Sequence, residues 1–235
     1  MKSLRKTIAL AGLALCITSA TFAQDSETRN VPDNFDAISV SSGIEATLVK
    51  GNTNEVEITA SGVDLDKVTV DVKRGKLEIG IKQKWWSSWG RKKNVDVVIT
   101  YTSELEGIYA SSGSTIESHQ TITGDELNLK TSSGAYIELD IDANDVEIEL
   151  SSGATMDLSG YAKNAEIDLS SGASLDAYNL KGEKVEIDGS SGANASIHVT
   201  EELNADVSSG ASVKYKGNPN DTSIDKSSGG SVRKS

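Results

Sequence analysis

Glu147-Ile148-Glu149-Leu150-Ser151-Ser152-Gly153-Ala154-Thr155-Met156-Asp157-Leu158 is the stretch on which the fold turns. Apolar and polar residues alternate on both sides of a Ser-Ser-Gly, the pattern of strands that bury one face. The same tripeptide opens at residues 41, 111, 132, 151, 170, 190, 208 and 227, and from 111 onward the copies stand 21, 19, 19, 20, 18 and 19 residues apart. The flanking pattern returns with it. Ser170-Ser171-Gly172-Ala173 leads into Leu175 and Ala177 and closes on Val185 and Ile187, and Ala193, Ala195, Ile197, Leu203, Ala205 and Val207 repeat the scheme.

A unit near 19 residues holds two or three short strands, about one coil of a solenoid. The expected fold is therefore all-β: a single-stranded parallel β-helix, with right-handed coiling favoured and coils of about 19 residues. Coils stack roughly 4.8 Å apart, so like residues lie above like. Glycine suits a corner with positive φ, and the alanine after it suits the narrow space inside the bend. Strict alternation would send Ser112, Ser133, Ser152, Ser171, Ser191, Ser209 and Ser228 inward as a hydrogen-bonded ladder. In the alternative architecture, an antiparallel sandwich, each unit would be a hairpin, and hairpins would not need one recurring corner.

Outward from the repeat the pattern loosens. Ile38 and Val40 before Ser41-Ser42-Gly43, then Ile44, Ala46 and Leu48, form a first copy. Between it and residue 111 lie strand patterns at Val56–Ile58, Val68–Val72, Leu77–Ile81 and Val95–Ile99, either diverged coils or a sheet covering the solenoid end. The chain divides into a leader (1–23), a linker (24–33), an irregular β region (34–110) and the repeat solenoid (111–235). The leader has a basic start at Lys2, Arg5 and Lys6, an apolar run from Ile8 to Ile17, and small residues at Thr21 and Ala23 that favour cleavage before Gln24. Cys16, the sole cysteine, lies inside it. Leu15 before that cysteine is larger than lipid-attachment cleavage accepts, so a soluble, exported chain without disulfides is expected, periplasmic or at the cell surface.

The opening Asn34-Phe35-Asp36-Ala37-Ile38-Ser39-Val40, Ser42-Gly43-Ile44-Glu45, Gly75-Lys76-Leu77-Glu78-Ile79 and the Ser-Ser-Gly-Ala units resemble the family known as "putative auto-transporter adhesin, head GIN domain". The resemblance covers about residues 30–230, with Gly43-Ile44-Glu45 where the family name has Gly-Ile-Asn. It implies a β-helical exported protein and carries over no catalytic residue.

The formal charge of −12 becomes −15 once the leader is removed, which excludes nucleic acid as a partner and is compatible with divalent cations. Glu149, Asp168, Asp188, Asp206 and Asp225 each stand two residues before a Ser-Ser-Gly and should face solvent as a column. Such a column can bind Ca²⁺ through carboxylate oxygens or simply form a solvated face, and no dedicated calcium loop accompanies it. Lys84-Trp85-Trp86-Ser87-Ser88-Trp89-Gly90-Arg91-Lys92-Lys93 gathers every tryptophan of the protein among cations. Trp85, Trp86, Trp89, Arg91, Lys92 and Lys93 are the candidate ligand-binding set for a glycan, an envelope component or a surface protein, or else a plug for the solenoid end. His119 and His198 are the only histidines, and neither belongs to a Gly-x-Ser-x-Gly or His-Glu-x-x-His motif. These residues point to a non-catalytic envelope or surface binding scaffold without a cofactor. The competing readings are an exported carbohydrate-active enzyme on a β-helix and a purely structural envelope protein.

Overall fold

The computed structural model describes residues 25–32, 34–82 and 94–235, so the leader with Cys16 and the tryptophan segment lie outside the described residues. From Gly107 onward every strand pairing is parallel. The strands there are β8 (Gly107–Ala110), β9 (Thr115–Ser118), β10 (Ile122–Thr131), β11 (Tyr136–Leu150), β12 (Thr155–Leu169), β13 (Ser174–Gly189), β14 (Asn194–Val207), β15 (Ser212–Lys216), β16 (Asp221–Lys226) and β17 (Ser231–Lys234). The protein is a parallel β-solenoid, and the sandwich alternative fails.

Three apolar ladders run through it. One passes from Leu77 through Ile38, Ile108, Leu129, Ile148, Ile167, Ile187 and Ala205 to Ile224. A second, on the other side of the corner, passes from Val97 through Ala46, Ile116, Ile137, Met156, Leu175, Ala195 and Val213 to Val232. The third passes from Ile79 through Val40, Ala110, Thr131, Leu150, Leu169, Gly189 and Val207 to Lys226. All but the last rungs are buried. Each aliphatic rung contributes about 1.5–3 kcal/mol by leaving water, which is how a chain without disulfides holds together. Lys226, in the place of an inward aliphatic, blunts the edge of the coil formed by β16 and β17.

The corners depart from strict alternation. The second serine of every corner has φ between 47° and 68°, and the glycine after it between 69° and 84°. The Ala154 N–H closes the turn on the Ser151 carbonyl at 3.2 Å, so Ser152 and Gly153 are the two left-handed central residues of a type I′-like turn. A left-handed residue interrupts the pleat. The second serines from Ser112 onward are therefore exposed and form no internal ladder, while the following alanines, Ala135, Ala154, Ala173, Ala193 and Ala211, fill the inside of the bend as expected. The turns are tied vertically: Gly153 N–H donates to Ser171 O at 3.0 Å, Gly134 to Ser152 at 3.2 Å and Gly172 to Ser191 at 3.1 Å. In the first regular corner serine replaces alanine, and buried Ser114 donates its hydroxyl to Val40 O and Ser111 O.

The N-terminal region is both coil and cover. β2 (Ala37–Val40) and β3 (Glu45–Lys50) form a coil that lies between β8–β9 on one side and β6 (Lys76–Ile81) with β7 (Asn94–Tyr101) on the other. β4 (Glu55–Ser61) adds antiparallel to β7, and β5 (Val68–Lys73) to β6. Residues 25–30, within the stretch read as a linker, form β1 (Asp25–Asn30) along β4. Its polar sequence gives no alternation to read. Backbone pairing holds it, together with Arg29, whose guanidinium donates to Val68 O at 2.7 Å and Leu65 O at 2.8 Å.

The corner geometry separates two glycine effects. A Cβ at Gly153 would meet nothing within 4 Å, so Gly153→Ala should cost only the left-handed backbone penalty, about 1–2 kcal/mol. At Gly160 (φ 103°) a Cβ would lie 2.1 Å from Ile141 O, so Gly160→Ala should destabilise considerably more. Urea unfolding of the two variants checks the order.

Candidate functional site

The register places the acidic residues as expected. Glu149, Asp168, Asp188, Asp206 and Asp225 are direct neighbours on successive coils, and Glu147, Glu166 and Glu186 form the next outward column. Both arise because the strand before each corner alternates Val/Ala, Glu, Ile, Asp/Glu, with the aliphatics pinned in the ladders. Two troughs follow these columns. One, of about 770 Å³, is lined by Glu149, Asp168, Asp188 and Asp206 with the first serines of the corners, among them Ser151 and Ser170. The other, of about 640 Å³, is lined by Glu147, Glu166, Glu186, Asn164 and Lys184 among others.

The column is not uniformly acidic. Lys130 and Tyr109 continue it toward the N-terminal end, Lys130 in register with Glu149 and Tyr109 with Lys130. Both stand two residues before a Ser-Ser-Gly, the offset that marked the acids, so the signal was present in the sequence. Lys130 Nζ is 2.6 Å from Glu149 Oε1 and holds that carboxyl below the usual range, despite burial. Glu147 moves the other way: its hydrogen bond with Glu149, then burial, raise it against the pull of Lys130. Asp188 is also raised, first by burial and then by Asp168, Asp206 and Glu186.

Elsewhere on the coils carboxylates find partners from the neighbouring rung. Tyr136 Oη donates to Asp157 at 2.6 Å and Glu138 at 3.0 Å, and its own ionisation is pushed up by burial and then by these bonds. Thr121 and Ser159 donate to Asp140, and Asn164 donates to Asp145. Among the described residues, Asp168, Asp188, Asp206 and Asp225 have no such donor. Repulsion between carboxylates one rung apart is about 1 kcal/mol even in water-like dielectric and is further reduced by salt. Among the described residues, no group of three or more His, Cys, Asp or Glu side chains converges to hold a metal ion.

Trp85, Trp86, Trp89, Arg91, Lys92 and Lys93 lie outside the described residues. The flanking strands are informative: β6 and β7 stack on β2 and β3, the pair that the first Ser-Ser-Gly corner joins. The two histidines are far apart in the repeat. His119 follows β9, and His198 lies on β14, where burial and then Lys216 and Lys181 push its imidazole down. No helix among the described residues is long and apolar enough to cross a membrane.

A coiled β-rod with one recurring corner, a nested N-terminal block and outward polar ladders defines a class shared with known proteins. The family model "putative auto-transporter adhesin, head GIN domain" matches residues 34–219, and the chain belongs to this family. Its fold is similar to that of a putative adhesin from Bacteroides fragilis NCTC 9343, with TM-score 0.82 and 18% identity over 91% of this chain and 97% of that one. A putative adhesin from Parabacteroides merdae ATCC 43184 gives TM-score 0.68 and 19% identity over 90% and 96% of the two chains. A putative lipid binding protein from Parabacteroides distasonis ATCC 8503 gives 0.68 and 16% over 90% and 97%. At these identities the likeness is one of fold. No curated protein matches the chain in sequence.

Asp188 offers a sign test of the ladder. Its carboxyl is raised in the fold, so ionisation costs stability: the contribution is present at low pH and is lost as pH rises through the folded value. Asp188→Asn should stabilise the protein at pH 7 by about 0.5 kcal/mol or less, since solvent screens a largely hydrated group. The gain should shrink as pH falls toward the ordinary value of 3.8. Thermal melts of both proteins across pH measure it.

Proposed function

We propose that the protein is a non-catalytic, adhesion-like binding module of the cell envelope, exported by its leader, which engages a surface glycan or surface protein. The supporting observation is the regularity of the outward face. Asp168, Asp188, Asp206 and Asp225 repeat in register on successive coils, whereas hydrolytic chemistry needs one distinct pair with divided roles. Family membership agrees with this reading. The contact element is the tryptophan-basic segment: Trp85, Trp86 and Trp89 supply flat apolar faces for sugars or a protein partner, and Arg91, Lys92 and Lys93 supply charge. The acid ladder is a solvated face that keeps the rod soluble, and Ca²⁺ is an optional ligand of it rather than a resident cofactor.

One observation favours the enzymatic alternative: Glu147 and Glu149 are driven in opposite directions, as an acid and its partner would be. Both carboxyls close on one ammonium, Lys130 Nζ lying 3.9 Å from Glu147 Oε1 and 2.6 Å from Glu149 Oε1, whereas a retaining glycosidase pair faces an open gap of about 5–5.5 Å that admits the sugar. The pair is a local charge network anchored by Lys130.

The mature chain should bind immobilised envelope polysaccharides or surface extracts without releasing reducing ends. Replacing Trp85, Trp86 and Trp89 together by alanine should weaken binding by at least about tenfold, the loss of one or more aromatic anchors, with an unchanged melting temperature. Undiminished binding would remove the segment from the function, and cleavage lost in Glu147→Gln would replace the module with an enzyme.

A further inference from the structure

The end of the solenoid remote from β6 and β7 carries a cluster that the acid ladder does not use. It begins with a bulge. Pairing between β13 and β14 passes from Ala177↔Ile197 to Lys181↔His198, leaving Tyr178, Asn179 and Leu180 without partners on β14. Asp176 fixes the bulge by accepting the Tyr178 N–H at 3.1 Å. Extruded in this way, the Tyr178 side chain reaches past β14 to the coils beyond: Lys216 Nζ lies 4.4 Å and Lys214 Nζ 5.6 Å from its ring centroid, and its hydroxyl bonds Ser235.

The register gathers cations around that ring. Lys181, His198 and Lys216 are neighbours on three successive coils, and Lys214 adjoins Arg233. Ion pairs neutralise Lys73, Lys130 and Lys184 elsewhere. Among the described residues, Lys181, Lys214, Lys216 and Arg233 have no such carboxylate partner. Of the nearby acids, Asp176 accepts the Tyr178 N–H of the bulge and Glu183 accepts the Tyr161 hydroxyl. A chain with 35 acids and 23 bases thus brings four cations without an ion pair close together on neighbouring coils. The tyrosine face holds two of the ammonium groups in place, as cation–π contacts do. The field of the lysines is strong enough to depress His198, after burial.

We propose that this platform is an anion-binding site for the carboxylate groups of an acidic polysaccharide. The cations are strung along the solenoid, Lys214 and Arg233 one strand spacing of about 4.8 Å apart and Lys181 and Lys216 two, with His198 between them, rather than closed around a point. That layout suits charges repeated along an extended polymer better than one small anion. The site is independent of the tryptophan segment and adds a ligand class to the binding reading.

The test measures binding of the mature chain to immobilised polygalacturonate, with neutral dextran and phosphatidylglycerol-containing vesicles as comparison surfaces. The wild type should bind polygalacturonate and not dextran, and binding should fade as salt shortens the screening length from about 10 Å at 0.1 M to about 3 Å at 1 M. Lys181→Glu, Lys214→Glu and Lys216→Glu together should reduce affinity at least tenfold. The charge-matched control Lys50→Glu, Lys163→Glu and Lys226→Glu should change it less than threefold. Lys216→Gln, which retains the fold more safely, should lose about threefold with an unchanged melting curve. Equal losses in the triple variant and its control, or none in the triple variant and Lys216→Gln, would overturn the site. Binding that survives the triple variant but disappears on reversing Arg91, Lys92 and Lys93 would overturn the site, assign polyanion recognition to the tryptophan-basic segment and leave the proposed function standing. Capture by vesicles alone would overturn the polysaccharide assignment.

Discussion

The structure depends on one constraint: every coil must turn its corner at the same height and in the same register as the coil beneath it. Two left-handed residues make the turn tight enough, and the glycine N–H then meets the serine carbonyl of the next coil. This vertical bond fixes the rung spacing at the corner, where the pleat is interrupted and apolar packing alone would permit slippage. A one-residue slip would turn Ile148, Ile167 and Ile187 to solvent and bring Glu149, Asp168 and Asp188 inside. The identical corners act as a register lock, and the aliphatic ladders supply the cohesion.

The lock explains the electrostatics. Once register is fixed, any residue type that recurs at one offset from the corner becomes a column, whether or not stacking suits it. Tyrosine, threonine and asparagine relieve several carboxylates elsewhere on the coils, while among the described residues the column before the corner is relieved only where Lys130 enters it. Solvent carries the remainder. That division separates a face tied into the structure from one whose charge is available to the surroundings.

Much of this was legible in the sequence because it resides in spacing. The tripeptide interval gave the coil, alternation gave the buried rungs, and the fixed offset gave the acid column. What escaped depended on backbone conformation or on pairing across coils. Counting by twos placed Ser152 inside, but a left-handed residue does not count by twos. Lys130 shares the offset of the acids but not their charge, so its place in their column emerges only when the coils are paired. The Tyr178 bulge cannot be counted from one strand, since extra residues are defined only against β14. β1 lacks an apolar face, so only its backbone and Arg29 reveal it.

The nesting of the first coil between a later coil on one side and β8–β9 on the other bears on how such a protein can change length. Beyond β9 each coil pairs its strands only with the coil before and the coil after, so duplicating or deleting a whole unit away from the Tyr178 bulge leaves every remaining junction of a familiar kind. Within the N-terminal block the strand order in space differs from the order in the chain, and the same edit would sever pairings on two sides. Evolutionary lengthening or shortening of the rod is thus confined to the Ser-Ser-Gly half, while the nested half is inherited as a single piece.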